Sequence, residues 1–180
     1  MRSFKTEGIV IKRRNFQEAD RLITIFSKKS GKITIKAAGV RKISSKRSPH
    51  IELLNRCIFN LHQGRTMYTL TEVESLENFS VLKKDLKKIG TSYHLCELVD
   101  GLCAENQENI EIFELLEKTL KRVQNEDDMK TISYDFELEI LKLLGFYRRN
   151  DYSKGVDTQK IIEDILERKL KAKQILPRLS

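Results

Sequence analysis

No two cysteines in this chain stand at metal-ligand spacing. Cys57, Cys96 and Cys103 are an odd number without a Cys-x-x-Cys pair, which argues against a secreted disulfide framework and against a thiolate zinc site. Nowhere do about eighteen apolar residues run together, as a membrane-crossing helix needs. After Met1-Arg2-Ser3-Phe4-Lys5 only Gly8 to Ile11 precede Lys12, too short for the apolar region of a signal peptide. The expectation is a cytoplasmic protein, neither exported nor spanning. Phosphate-cradling Gly-x-x-x-x-Gly-Lys and Gly-x-Gly-x-x-Gly runs are also missing, and no two histidines stand at helical ligand spacing, since His50, His62 and His94 are scattered. Repeats and low-complexity tracts are absent, so collagen, mucin and coiled-coil readings fall away.

What is present is charge. Charged residues make up 33% of the 180 residues and apolar ones 39%, enough regularly spaced apolar material for a folded protein with a heavily charged surface. The formal net charge of +8 is unevenly placed. Residues 1–81 carry 16 Lys/Arg against 7 Asp/Glu, and residues 82–180 carry 18 against 19. Within residues 1–50 the count is 14 against 3. Such a field attracts phosphate-rich polymers or an anionic surface, unless it is only a solvated lysine-rich face.

The first half has period two. Ile9 and Ile11, then Ile23 and Ile25, Ile33 and Ile35, Cys57 with Phe59 and Leu61, and finally Tyr68 and Leu70 mark five short strands. Lys28-Lys29-Ser30-Gly31 and Gln63-Gly64-Arg65 supply hairpin turns. Five strands in about 80 residues without a helical crossover close a Greek-key barrel of the oligonucleotide-binding (OB) type or an SH3-like barrel. The OB form is preferred because it sets long loops beside a basic face.

From Ser80 the period becomes 3.6. Leu82, Leu86, Ile89, Tyr93, Cys96, Val99 and Cys103 form one stripe, widened by Leu95, Leu98 and Leu102. A second helix shows Phe113, Leu116, Leu120 and Val123. A third shows Phe136, Ile140, Leu143 and Leu144 and ends at Gly145, a left-handed C-cap. A last helix runs from Ile161 to Leu176, capped by Asp157 and stopped by Pro177. The fold class is therefore α+β: a five-stranded OB-fold barrel over residues 1–79, followed by a helical domain over residues 80–180.

Chemistry for catalysis is thin. His94 and Cys96 are two apart on a helix and face different ways, which reads as a core cysteine beside a surface histidine. Glu72 with Glu74, and Glu18 with Asp20, read as solvated faces rather than a two-metal centre. The basic material is denser: Lys12, Arg13 and Arg14 end the first strand, Arg21 opens the second, and Lys32 and Lys36 lie on the third. The loop from Gly39 to Pro49 adds Arg41, Lys42, Lys46 and Arg47 with three serines. A flexible loop of that kind wraps phosphates, its cations displacing condensed counterions. Phe16 either closes the barrel end or offers a face on which a base stacks.

Thr6-Glu7-Gly8-Ile9-Val10-Ile11, Glu18-Ala19-Asp20-Arg21, Gly31-Lys32 and Ala38-Gly39-Val40-Arg41-Lys42 resemble the amino-terminal domain of the bacterial recombination mediators of the RecO family. The second half agrees in order: Cys96 to Leu102, Ile112 to Leu116, Phe136-Glu137-Leu138 with Leu143-Leu144-Gly145-Phe146, and Arg168 to Lys171. The resemblance covers nearly the whole chain. It implies an OB barrel and a helical domain that bind single-stranded DNA, and duplex DNA as well, and anneal complementary strands. It also implies that they work with RecR in loading RecA onto strands covered by single-strand-binding protein, whose acidic tail is a further partner. A non-enzymatic, nucleoid-associated DNA-repair mediator follows, with a helical adaptor tethered to RNA or DNA by a basic barrel, and a nuclease using Glu18, Asp20 or Glu72, as alternatives. Many members carry a four-cysteine zinc module after the Leu-Gly-Phe segment. Here Arg148 to Lys160 holds no cysteine, so no metal or other cofactor is expected, and a shortened carboxy-terminal region is implied. Ala38 stands where a lysine often precedes the glycine, and Leu53-Leu54 replaces the usual Pro-Phe.

Overall fold

Alternating apolar residues pair into a barrel because only one face of each strand can be kept dry inside it. The computed structural model describes residues 3–147 and 155–172. Strands β1 (Ser3–Phe16), β2 (Asp20–Ser27), β3 (Gly31–Ala37), β4 (Arg56–Gln63) and β5 (Tyr68–Glu77) close in the order β1-β2-β3-β5-β4. All neighbours are antiparallel except β3 and β5, which join in parallel at Ile35 with Tyr68 and Lys36 with Thr69. That is the topology of the OB barrel.

The first strand is long because it serves two partners. Ser3 to Ile9 pair with β4, and Gly8 to Phe16 pair with β2. The exchange is made at a bulge between Val10 and Lys12, where Val10 instead exchanges backbone hydrogen bonds with Leu54 and Asn55 at 2.9 and 3.0 Å. Leu54, in the connection before β4, adopts a left-handed φ of 74° and is buried. Its burial and the hydrogen bond from its N–H to the Val10 carbonyl offset the strain of that conformation. Inside lie Val10, Ile23, Ile25, Ile33, Ile35, Phe59, Leu61 and Leu70, each worth about 1.5–3 kcal/mol of burial.

The outward face is also closed along part of its length. Leu22, Thr24 and Phe26 pair with Lys36, Thr34 and Lys32, and of these six only Thr34 and Lys36 escape burial. The segment Cys103–Phe113 belongs to the same compact unit as Met1–Phe79. Its Asn106 N–H donates to the Lys32 carbonyl at 2.8 Å, Glu105 bridges to Lys32, and Phe113 lies 5.8 Å beneath the Lys28 ammonium.

A second unit, Ser80–Leu102 with Glu114–Ser180, is built from helices. Helix α1 spans Leu86–Leu102, α2 Ile110–Asn125, α3 Met129–Leu143 and α4 Thr158–Leu166. Asp128 caps α3 by accepting from Thr131 N–H, and Asp157 caps α4 by accepting from Lys160 N–H. Gly145 takes the left-handed turn after α3, with φ 77°. Three sequence readings change here. The stripe proposed for α1 is rotated, since Leu86 and Tyr93 are exposed while Thr91, Ser92 and His94 are buried. Leu82 sits on a separate 3-10 turn, Leu82–Lys84. The last helix begins at Thr158 and ends at Leu166, where Glu167 turns left-handed with φ 52°; its expected end at Leu176 and Pro177 lies outside the described residues.

His94 is the largest correction. It is fully buried rather than on the surface, and its Nε2 meets Glu137 Oε1 at 2.6 Å. The Thr158 hydroxyl donates to the other carboxylate oxygen, so one buried carboxylate joins α1, α3 and the start of α4. A buried carboxyl group with two hydrogen-bond partners is tolerated; those partners without it are not. Glu137→Leu is therefore expected to destabilise the helical unit by about 2–4 kcal/mol. Thermal unfolding followed by circular dichroism checks this, and a change under about 0.5 kcal/mol would reject the account. Glu97 on α1 performs a related task, accepting from Arg168 Nη1 at 2.6 Å and from the N–H groups of Lys171 and Ala172 at 2.9 Å. Burial alone would raise its carboxyl, but these donors outweigh it and hold the group below its ordinary value.

Candidate nucleic-acid interface

Strand register decides which of the basic residues can act together. Residues opposite one another across a ladder share a face, so the pairs Phe16 with Asp20, Arg14 with Leu22, and Lys12 with Thr24 all lie outside the barrel. Lys36, opposite Leu22, joins them. The result is an outward row of Lys12, Arg14 and Lys36 with Phe16 at its end. The Lys36 ammonium lies 5.6 Å from the centre of the Phe16 ring, a cation–π distance. Phe16 is half-buried, so it neither fills the core nor stands clear of the surface.

Arg13 and Arg21 have the opposite parity. They turn toward the barrel mouth and share Glu52, at 2.5 and 3.6 Å. Lys32, on the outward face, is 8% exposed beneath the Cys103–Phe113 segment. These three are thus not brought into the outward row.

The loop after β3 is less flexible than its composition predicts. Arg41 N–H donates to the Ala19 carbonyl at 2.9 Å, and its guanidinium reaches the carbonyls of Gln17 and Glu18 at 3.3 and 3.0 Å. Arg47 spends its guanidinium on the carbonyls of Leu70 and Ala38, at 2.8 and 2.7 Å. It therefore builds the loop instead of projecting from it. Lys42 and Lys46 remain exposed. Together with Ala38, Gly39, Ser44 and Ser45 they line an open depression of about 520 Å³ beside Arg47.

Asp20, read in the sequence as a solvated carboxylate, organises this end of the barrel. It accepts from Gly39 N–H at 2.8 Å and pairs with Lys36 at 3.0 Å. The Gly39 N–H first, and Lys36 after it, hold its carboxyl below the ordinary value of 3.8. A lowered folded value means that the anchorage is complete above the ordinary value and is lost as pH falls through the lowered one. Sequence reasoning also missed Glu52, which ties down Arg13 closely and Arg21 more loosely, and Ile43, which is fully exposed at the loop tip. No local signal marks Glu52, because its partners are 39 and 31 positions away. Among the described residues no group of three or more His, Cys, Asp or Glu is placed to hold a metal ion, and no helix is long and apolar enough to cross a membrane.

Residues 1–79 match the family model described as Recombination protein O N terminal, and residues 83–153 match that described as Recombination protein O C terminal. The chain belongs to the RecO family. Among similar RecO proteins, each named DNA repair protein RecO, that of Roseiflexus sp. (strain RS-1) is 36% identical over 145 residues, covering 81% of this chain and 51% of the relative. That of Alkaliphilus metalliredigens is 35% identical over 142 residues, covering 78% and 58%. That of Clostridium acetobutylicum is 34% identical over 155 residues, covering 84% and 62%. The chain therefore spans between half and about three-fifths of the length of these RecO relatives.

Proposed function

We propose that this RecO-family chain is a non-enzymatic mediator of DNA repair. Its barrel, residues 1–79, binds single-stranded DNA and, through the same phosphates, duplex DNA. Its helical domain, residues 80–180, docks protein partners: RecR and the acidic tail of single-strand-binding protein. The observation that carries this reading is the outward row of Lys12, Arg14 and Lys36, which runs into the loop cations Arg41, Lys42 and Lys46 at one end of the barrel. Cations on a rigid face neutralise phosphates without reading bases. A strand neutralised in this way meets its complement with less repulsion, which is the physical basis proposed for annealing and for handing strands to RecA.

Replacing all four cations of the loop would confuse binding with folding, because Arg47 and Arg41 hold backbone carbonyls. The double variant Lys42→Ala with Lys46→Ala is the cleaner test. Both side chains are exposed, so the melting temperature should be unchanged while affinity for an oligothymidylate falls on the order of tenfold. Fluorescence anisotropy at low salt measures this, and unchanged affinity would make the loop bystander charge. Annealing of complementary oligonucleotides, with and without magnesium, tests the function itself. Annealing independent of magnesium and without cleavage supports a mediator, whereas magnesium-dependent cleavage or binding without annealing rejects it.

A further inference from the structure

A second cationic cluster lies on the same barrel, away from the row just described. Lys5, near the start of β1, and Lys28 and Lys29, in the β2–β3 turn, converge on a pocket of about 350 Å³ whose other walls are Thr6, Glu7 and Ile58. Lys5 and Lys29 are exposed. The turn is fixed: Lys28 N–H donates to the Glu7 carbonyl at 2.9 Å, its ammonium lies over the Phe113 ring, and Gly31 closes the turn with φ 63°. The one acid in the wall, Glu7, is paired with Arg56 at 3.4 Å. Two exposed lysines, Lys5 and Lys29, with Lys28 beside them, therefore line an opening whose one carboxylate is paired with Arg56.

The two clusters are not one track. Lys5 and Lys12 are seven residues apart on one strand, about 23 Å at 3.3 Å per residue. Between them, Ile9 and Ile11 of β1 and Phe26 of β2, which pairs with Ile9, are buried. A phosphate backbone lying on Lys12, Arg14 and Lys36 has no open, charged path across this stretch to reach Lys5 and Lys29.

We propose that the Lys5–Lys28–Lys29 pocket is a second phosphate-contact site, which holds a second DNA strand while the first lies on the outward row. This rests on the single-strand-binding reading above and deepens it: annealing requires two strands near one another, and two separated cationic clusters on one barrel supply a place for each.

The test uses two oligothymidylates of 12 nucleotides, one bearing a donor dye and one an acceptor, which cannot pair with each other. Anisotropy reports binding, and energy transfer reports two strands on one protein. The unaltered chain is expected to bind and to show energy transfer. The double variant Lys5→Ala with Lys29→Ala is expected to keep its affinity within about twofold, with an unchanged melting temperature, and to lose most of the energy transfer. Its annealing rate should fall on the order of tenfold. Binding without energy transfer in the unaltered chain, or energy transfer retained in the double variant, overturns the second site and leaves the first reading standing. No binding at all removes both.

Discussion

Alanine in place of Gly31 should strain the β2–β3 end of the barrel severely. Gly31 has φ 63°, and a Cβ built there would lie 1.8 Å from the Gln107 carbonyl oxygen and 2.5 Å from its carbon. Both are backbone atoms and cannot swing aside as a long side chain does. Either the β2–β3 turn or the Cys103–Phe113 segment must move, and with it go the Asn106 to Lys32 hydrogen bond and the Glu105 bridge. Left-handed strain, steric overlap and the lost bond together amount to about 3–5 kcal/mol, or a fall in melting temperature of about 10 °C. Gly39 is the control: its φ is 66°, but a Cβ there meets only the Lys42 side chain at 3.9 and 4.0 Å. Its alanine variant should lose no more than about 1–2 kcal/mol. A second reading comes from Cys103, 7% exposed in the same segment, whose thiol burial pushes up to about 11. Displacing the segment should expose it, so a thiol reagent should label the Gly31→Ala variant faster than the unaltered chain. Equal melting temperatures and labelling rates would show that the segment does not depend on Gly31.

Period two and period 3.6 carried most of the fold, because burial on one face imposes the period directly on the residues. They failed where burial has two sides or where a polar pair replaces an apolar contact. Leu22-Ile23-Thr24-Ile25-Phe26 is nearly all apolar because the inner face holds Ile23 and Ile25 while the outer face is covered as well; strict alternation could not show the covering. The burial of His94 is invisible in the sequence because a lone histidine among apolar residues shows no partner, and Glu137 is 43 positions away. On α1 the apolar stripe pointed to Leu86 and Tyr93, yet the buried side of that helix takes Thr91, Ser92 and His94, so hydropathy alone misoriented it. The caps were legible because they are local: Asp157 bonds a backbone N–H three residues on, and Gly145 supplies a conformation that other residues adopt at a cost.

The basic residues divide differently, and this sets the size of the salt effect. Composition counts every cation equally, whereas a counterion is released only when a cation reaches a phosphate. Of the ten expected in the site, Arg13 and Arg21 share Glu52, Lys32 is buried and Arg47 is spent on backbone carbonyls. Lys12, Arg14, Lys42 and Lys46 remain exposed, Arg41 is exposed with its guanidinium held by two backbone carbonyls, and Lys36 is half-buried against Asp20. On the order of five contacts gives a slope of log affinity against log salt of about −3.5 for a single strand. Raising salt fourfold should then weaken binding about 100-fold. Base preference should be slight, because these groups meet backbone rather than base edges. Reducing the track by Lys42→Ala with Lys46→Ala should flatten the slope by about 1.4, whereas Arg13→Ala should leave it within error, because that guanidinium is already neutralised by Glu52. A barrel that served only as a peptide-binding adaptor would show a shallow slope and no competition from nucleic acid. Titrations from low to physiological salt decide between them: a slope near zero would leave the exposed cations as solvated charge and remove the physical basis of strand binding.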